Sequence, residues 1–245
     1  MIHNLRAVVL WSRRSRDADK LLGIFTDRMG RLTVKATSAA KPTAKFAALT
    51  EPFVESEMAI YLRPGQVWGK IVGGQLHRSF PAIRTQMDRG TAAAWVCEVV
   101  TRLTPEEQPS LDKFSLLVET LDAVETASRF DLLRLAFTLR FLSFAGLGVD
   151  HRDPWLKLKA SQPDWAEALL SRPLRELGEV AWDHLDLKRL QQLAGGIVQD
   201  HLAHHWHAED ICRQYPYLSL AQVHTARPPN RADAPAPFRC GGCPP

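Results

Sequence analysis

The amino-acid sequence predicts an α+β protein, with a β unit at the N-terminus and an all-α unit behind it. Three observations carry this. Short runs up to about residue 76 alternate or cluster apolar residues in strand fashion; turn signals separate those runs; and from Pro81 onward the apolar spacing becomes helical. At 245 residues and 45% hydrophobic content, the chain has apolar material for a substantial core.

The strands come first. Leu5 to Ser12 is rich in Val and Leu, and Lys20 to Thr26 ends at the turn Asp27-Arg28-Met29-Gly30. Arg31 to Ala36 sets Leu32, Val34 and Ala36 against Arg31, Thr33 and Lys35, which gives one buried and one basic face. Phe53 to Leu62 and Gln66 to Leu76 supply two more strands about the turn Arg63-Pro64-Gly65. Five short strands in about 75 residues fit a small closed barrel, and the five-stranded OB-fold is the nucleic-acid-binding example.

The helices follow. Met87, Ala94, Trp95, Val99 and Leu103 share much of one face before Thr104-Pro105 breaks the segment. Ser110 is placed to N-cap a helix with Leu111, Phe114, Leu117, Val118 and Leu121 inward. Asp131 to Ala145 is apolar almost all round except at Arg134 and Arg140, as in a helix central to a bundle, and Gly146-Leu147-Gly148 stops it. A less periodic, Pro-spaced stretch precedes a last long helix from about Asp186 to Trp206. The expected organisation is a barrel at 1–79, a helical domain at 80–226 and a disordered Pro-rich tail at 227–245.

Charge is uneven. Residues 1–50 hold ten Lys/Arg against three Asp, whereas the whole chain carries a net charge of +4. A basic N-terminal unit suits a polyanion, because clustered cations release counterions when they meet phosphates; a solvated basic surface is the alternative. Enzymatic readings find little. Gly65-Gln-Val-Trp-Gly69-Lys70-Ile71 has three residues between its glycines where a P-loop has four, and Ile71 stands where Ser or Thr would hold magnesium. Gly69 is better read as a close-packing or bulge position. No Gly-x-Ser-x-Gly elbow is present, so the protein is expected not to be an enzyme and to use no cofactor.

Metal ligands are considered at two places. His201 and His205 share a helix face, but no Glu completes a His-Glu-x-x-His motif, and histidines at a helix end also suit the dipole. Cys240 and Cys243 form a terminal Cys-x-x-Cys pair, half of a closed zinc site, so no metal site is expected. With four Cys, no visible secretory signal and no apolar run of spanning length, a reducing, cytoplasmic setting without membrane contact is expected.

Three stretches together resemble the bacterial recombination mediator family RecO: AVVLWSRRSRDADKLLGIFTDRMGRL (7–32), KPTAKFAALTEPF (41–53) and RFDLLRLAFTLRFLSFAGLGVD (129–150). The resemblance implies a non-enzymatic, nucleoid-associated DNA repair and recombination protein. Its expected activities are to bind single- and double-stranded DNA, to anneal strands coated with single-strand-binding protein (SSB), and to assist RecA loading with RecR. Carried over by position, it assigns DNA contacts to Arg13, Arg14, Arg16, Lys20, Arg31, Lys35, Lys41 and Lys45. Phe46 is either a base-stacking residue or a core anchor for its loop. Arg134 and Arg140 lie in a helix similar to one that helps hold the acidic tail of SSB; an ion pair with Glu119 or Asp131 is the alternative. Thr37, Ala40 and Thr43 occupy places that are often basic in the family, and the four-Cys zinc module that many members carry after Gly148 is absent. The rival readings are an interaction adaptor with the barrel as scaffold, and an RNA-binding OB protein.

Overall fold

The computed structural model describes residues 1–15, 18–40, 46–63, 68–148, 153–161, 163–179 and 184–201. Five strands close into a barrel: β1 (Ile2–Arg14), β2 (Lys20–Thr26), β3 (Gly30–Ala36), β4 (Glu55–Tyr61) and β5 (Gly69–Arg78). The order is β1-β2-β3-β5-β4, with β4 pairing back onto β1 and only β3–β5 parallel. A 3-10 turn, Ala48–Thr50, lies between β3 and β4.

The alternation read in β3 is real: Leu32, Val34 and Ala36 are buried with Leu5, Ala7, Val9, Leu22, Ile24, Met58, Ile60 and Ile71 inside the barrel. Gly69 is a close-packing glycine. A Cβ there would meet Ile60 and Leu62 at 2.8 Å and Val34 at 3.2 Å, all barrel-core side chains or their neighbours. β1 is longer than the expected Leu5–Ser12 and is buried on both faces through its centre. β5 begins three residues later than expected and runs to Arg78.

Behind the barrel come α1 (Pro81–Thr85), α2 (Met87–Leu103), α3 (Leu111–Thr126), α4 (Phe130–Phe144), α5 (Asp153–Ser161), α6 (Pro163–Ser171) and α7 (His184–His201). The Ser110 hydroxyl accepts from the Lys113 N–H at the start of α3, as its position predicts. α4 is the central helix, buried at Leu132, Leu133, Leu135, Ala136, Phe137, Leu139, Phe141 and Leu142, and it ends before Gly146, which takes φ +73°. The Pro-spaced stretch holds α5, α6 and a 3-10 turn, Leu174–Glu179, where no defined element is expected from periodicity. Leu169, Leu174 and Leu177 nevertheless join the helical core.

That core does not stop at the helices. Val8, Leu10, Phe25 and Phe53 leave the barrel wall outward and belong to the same apolar cluster as Phe114, Leu117, Phe137 and Phe141. Phe25 and Phe114 rings lie 6.3 Å apart. Polar contacts reinforce the junction. Glu55, 1% exposed, accepts from Arg6 at 2.6 Å and pairs with Arg78 at 3.3 Å, while Arg78 reaches Asp122 of α3 at 3.0 Å.

Candidate nucleic-acid interface

The strand register determines which cations share a surface, because directly opposed residues of neighbouring strands lie on one face of a sheet. Arg13 of β1 pairs with Leu21 of β2, Leu21 with Lys35 of β3, and Lys35 with Lys70 of β5. Val34 and Gly69, one position back, face the barrel interior, so Lys35 and Lys70 face out. One row across four strands therefore carries Arg13, Lys35 and Lys70, with exposed Arg14 at the end of β1. All four lie at the end of the barrel where β1 and β3 finish and β2 and β5 begin. The sequence reading includes three of them and misses Lys70, whose place beside Lys35 depends on a pairing across more than thirty residues.

Local chemistry tunes this row. The Arg13 guanidinium sits 5.3 Å from the Trp11 ring centroid. Trp11 lies flat over Gly23 of β2, where any side chain would collide with the indole. Lys35 is ion-paired to Asp19 at 2.8 Å, and Asp19 also accepts from the Ser38 N–H at 2.7 Å. The Lys35 hydrogen bond first, the Ser38 N–H second and the charge of Lys70 further off hold the Asp19 carboxyl below its usual range.

The other expected contacts are distributed differently. Lys20 is 15% exposed at its side chain, bonded to Glu51 at 2.8 Å and Thr50 at 3.2 Å, so it ties β2 to the turn before β4 rather than facing solvent. Arg31 points to the helical unit: its Nε donates to the Thr104 carbonyl at 2.9 Å and its Nη1 lies 3.3 Å from Glu106. Thr33 bonds the same Glu106 at 3.1 Å. The basic face of β3 is thus covered at Arg31 and open only at Lys35. Phe46 is half-buried, and its carbonyl accepts from the Leu49 N–H at 3.1 Å. Arg16, Lys41 and Lys45 lie outside the described residues.

Arg134 and Arg140 do not form one site. Arg140 is turned into the protein, its Nε donating to the Leu169 carbonyl at 2.8 Å and its Nη2 to those of Ala168 at 3.4 Å and Arg172 at 2.5 Å. It caps the C-terminal end of α6, where unpaired carbonyls and the helix dipole both favour a cation. Arg134 faces elsewhere, over the Trp95 ring at 5.2 Å, in a cavity of about 60 Å³ lined also by Asp131, Thr138, Gln191 and Gly195. Its Nε is buried and has no hydrogen-bond partner among the described residues. Burial pulls the Arg134 pKa down and the Asp131 charge opposes it. Asp131 itself is engaged by Arg129 at 2.9 and 3.0 Å. Neither arginine makes the alternative ion pair with Glu119 or Asp131, although both carboxylates lie close enough to favour the charged guanidinium.

Among the described residues no group of three or more His, Cys, Asp or Glu is placed to hold a metal ion, and no helix is long and apolar enough to cross a membrane. His201 is the last residue of α7; His205, Cys240, Cys243 and the tail at 227–245 lie outside the described residues.

Comparison with known proteins agrees with this architecture. The family model for Recombination protein O N terminal matches residues 1–80, and that for Recombination protein O C terminal matches residues 84–153. The DNA repair protein RecO of Desulforamulus reducens is 34% identical over 149 residues, covering 61% of this chain and 57% of that protein. That of Clostridium perfringens is 27% identical over 143 residues, covering 58% and 57%. The chain thus matches rather more than half the length of these two relatives. The RecO of Frankia casuarinae is 30% identical over 245 residues and covers 90% of this chain and 99% of that protein. With a closed barrel under the first family model, helices under the second and an end-to-end relative, the chain belongs to the RecO family.

Proposed function

We propose that this protein binds DNA strands through the cationic end of its barrel and brings complementary strands together, acting in repair and recombination without catalysing a covalent step. The supporting observation is the row of Arg13, Lys35 and Lys70 across four strands, flanked by Arg14. Such a row meets phosphates and reads no base edge, so binding is sequence-tolerant. It also lowers the repulsion between two polyanionic strands, which is what annealing requires. Family membership supports the further steps: action on strands coated with SSB, cooperation with RecR, and assistance to RecA loading at the bacterial nucleoid. For the acidic SSB tail, Arg134 is the better candidate contact, because its Nε has no hydrogen-bond partner among the described residues, whereas Nε and Nη2 of Arg140 already donate to carbonyls at the end of α6.

Charge reversal at Arg13, Arg14 and Lys70 together tests the proposal. Annealing of SSB-coated strands is expected to collapse. In the unmodified protein, engagement of about six phosphates would lower affinity by roughly three orders of magnitude between about 50 and 200 mM salt. Binding that barely changes over that range would remove the electrostatic mechanism.

A second reading, a protein-interaction adaptor, is favoured by a groove of about 350 Å³ lined by Asp112, Leu116, Glu119, Arg140, Phe144 and Leu170. Phe144 there is 48% exposed. If annealing survives the triple reversal, the adaptor reading stands instead.

A further inference from the structure

Beyond the cations, the geometry points to Trp68, with Tyr61 beside Lys70, as a base-stacking platform that makes the barrel favour single-stranded over duplex DNA. This rests on the nucleic-acid reading above and assigns a role to a residue type which that reading does not use.

Three observations converge. Gly69 faces the barrel interior, so Lys70 next to it on β5 faces out, and Trp68 stands just before β5, two residues from Lys70. The cationic row continues onto aromatic ground, since Lys70 pairs with Tyr61 of β4 in the next strand. Finally, Trp68 is 50% exposed and Tyr61 39% exposed.

The other described tryptophans are accounted for by packing. Trp155 is fully buried, Trp11 lies over Gly23, Trp95 is covered by Arg134, and Trp165 packs against the helical core. Trp68 alone among them is exposed, and it sits in the β4–β5 connection, one of the two loops with which OB-folds contact oligonucleotides. The exposed cations Arg63 and Lys70 flank it in sequence. An open indole two residues from the outward-facing Lys70 matches the two faces of a single strand, flat apolar bases and charged phosphates.

Selectivity follows from geometry. A base can lie on Trp68 only if its face is free, and in a duplex both faces are occupied by stacked neighbours. Phosphate contacts by Arg13, Lys35 and Lys70 hold either form, whereas the stacking contact holds only the single strand. Pairing with a complementary strand would withdraw bases from Trp68 and release the annealed product to weaker, purely ionic binding.

The test uses the full chain with Trp68→Ala and Trp68→Phe, labelled single-stranded and duplex oligonucleotides of one length, and fluorescence anisotropy at one salt concentration. Trp68→Ala is expected to lose about 5- to 150-fold in single-strand affinity, the range that base–aromatic stacking supplies. Trp68→Phe should keep most of the affinity, duplex binding should change less than about twofold, and the salt slope should not change because no cation is removed. Equal losses on single-stranded and duplex DNA would assign Trp68 a structural role and overturn the inference. So would an unchanged single-strand affinity in a Trp68→Ala protein whose melting temperature is native. If the unmodified protein binds neither form, the nucleic-acid reading itself falls, which separates that failure from a failure of stacking alone.

Discussion

Arg140 illustrates how a charge is accommodated in a helical core. It is 9% exposed, yet its donors meet three carbonyls at the end of α6, so the ion is neither unsolvated nor dependent on a carboxylate. Arg140→Met keeps most of the volume but takes the donor from the Leu169 and Arg172 carbonyls, while the Ala168 carbonyl still accepts from the Arg172 N–H at 3.2 Å. It should cost about 1 to 3 kcal/mol by urea denaturation, the cost of leaving buried polar groups unpaired. DNA affinity should stay within about twofold, and a large loss of affinity with native stability would return Arg140 to a ligand-binding role. Asp19 works in the opposite sense. It competes with phosphate for Lys35, and Asp19→Asn should raise single-strand affinity at low salt while leaving the fold intact. Because its carboxyl is held below its ordinary value of 3.8, the stability that the pair contributes is fully present above that value and is lost only as pH falls through the lower folded-state value. The gain in affinity should therefore be the same at pH 6 and pH 8, and a gain that vanished between them would assign the competition to another group.

At the level of elements, β2 depends on a residue it lacks. Gly23 leaves the space that the Trp11 indole fills, just past the irregularity in β1 between Val9 and Trp11, and the indole in turn carries Arg13. Gly23→Ala should destabilise the barrel by roughly 1 to 3 kcal/mol through overpacking and weaken DNA binding by displacing Arg13, as a melt and a binding isotherm would show. Unchanged values in both would mean that Trp11 has another low-energy seat. What was legible in the sequence follows the same local logic. The alternation of β3, the Ser110 cap, the apolar girth of α4 and the Gly146 stop are encoded within a few residues of where they act, and they appear as read. α5 and α6 are short and proline-interrupted, so their apolar spacing is too brief to show a period, and only packing against α4 reveals them. For the interface, charge gave away the basic end of the chain but not the orientation of its side chains. Arg31 looks like a strand-surface cation until its acceptor, 73 residues away, is in place. Lys70 acquires meaning only through its pairings with β3 and β4, the former a non-local contact with no short-range signature.

The whole molecule is less divisible than its sequence suggests. The chain changes period near residue 80, which marks a boundary between kinds of structure, but the core continues across it. Val8, Leu10, Phe25 and Phe53 are each buried to 0% exposure against helical residues, and each would be uncovered by removal of the helices. Burial of one such side chain is worth about 1.5 to 3 kcal/mol, and a domain's net stability is typically about 5 to 15 kcal/mol, so losing four is comparable with the whole. The same cut leaves Gly30 without the Gln108 backbone packed against it and frees Arg31 and Arg78 from Thr104, Glu106 and Asp122. Glu55, buried between Arg6 and Arg78, would hold its charge beside partners no longer braced by α3. A fragment of residues 1–79 is therefore expected to lack a cooperative melt and to bind a hydrophobic dye. In the intact chain, barrel and helices should unfold in one transition, with probes attached to β2 and to α3 giving coincident midpoints. A fragment that melted cooperatively near the midpoint of the intact protein would show that the barrel supplies its own stability. The cationic row could then be studied free of the helices.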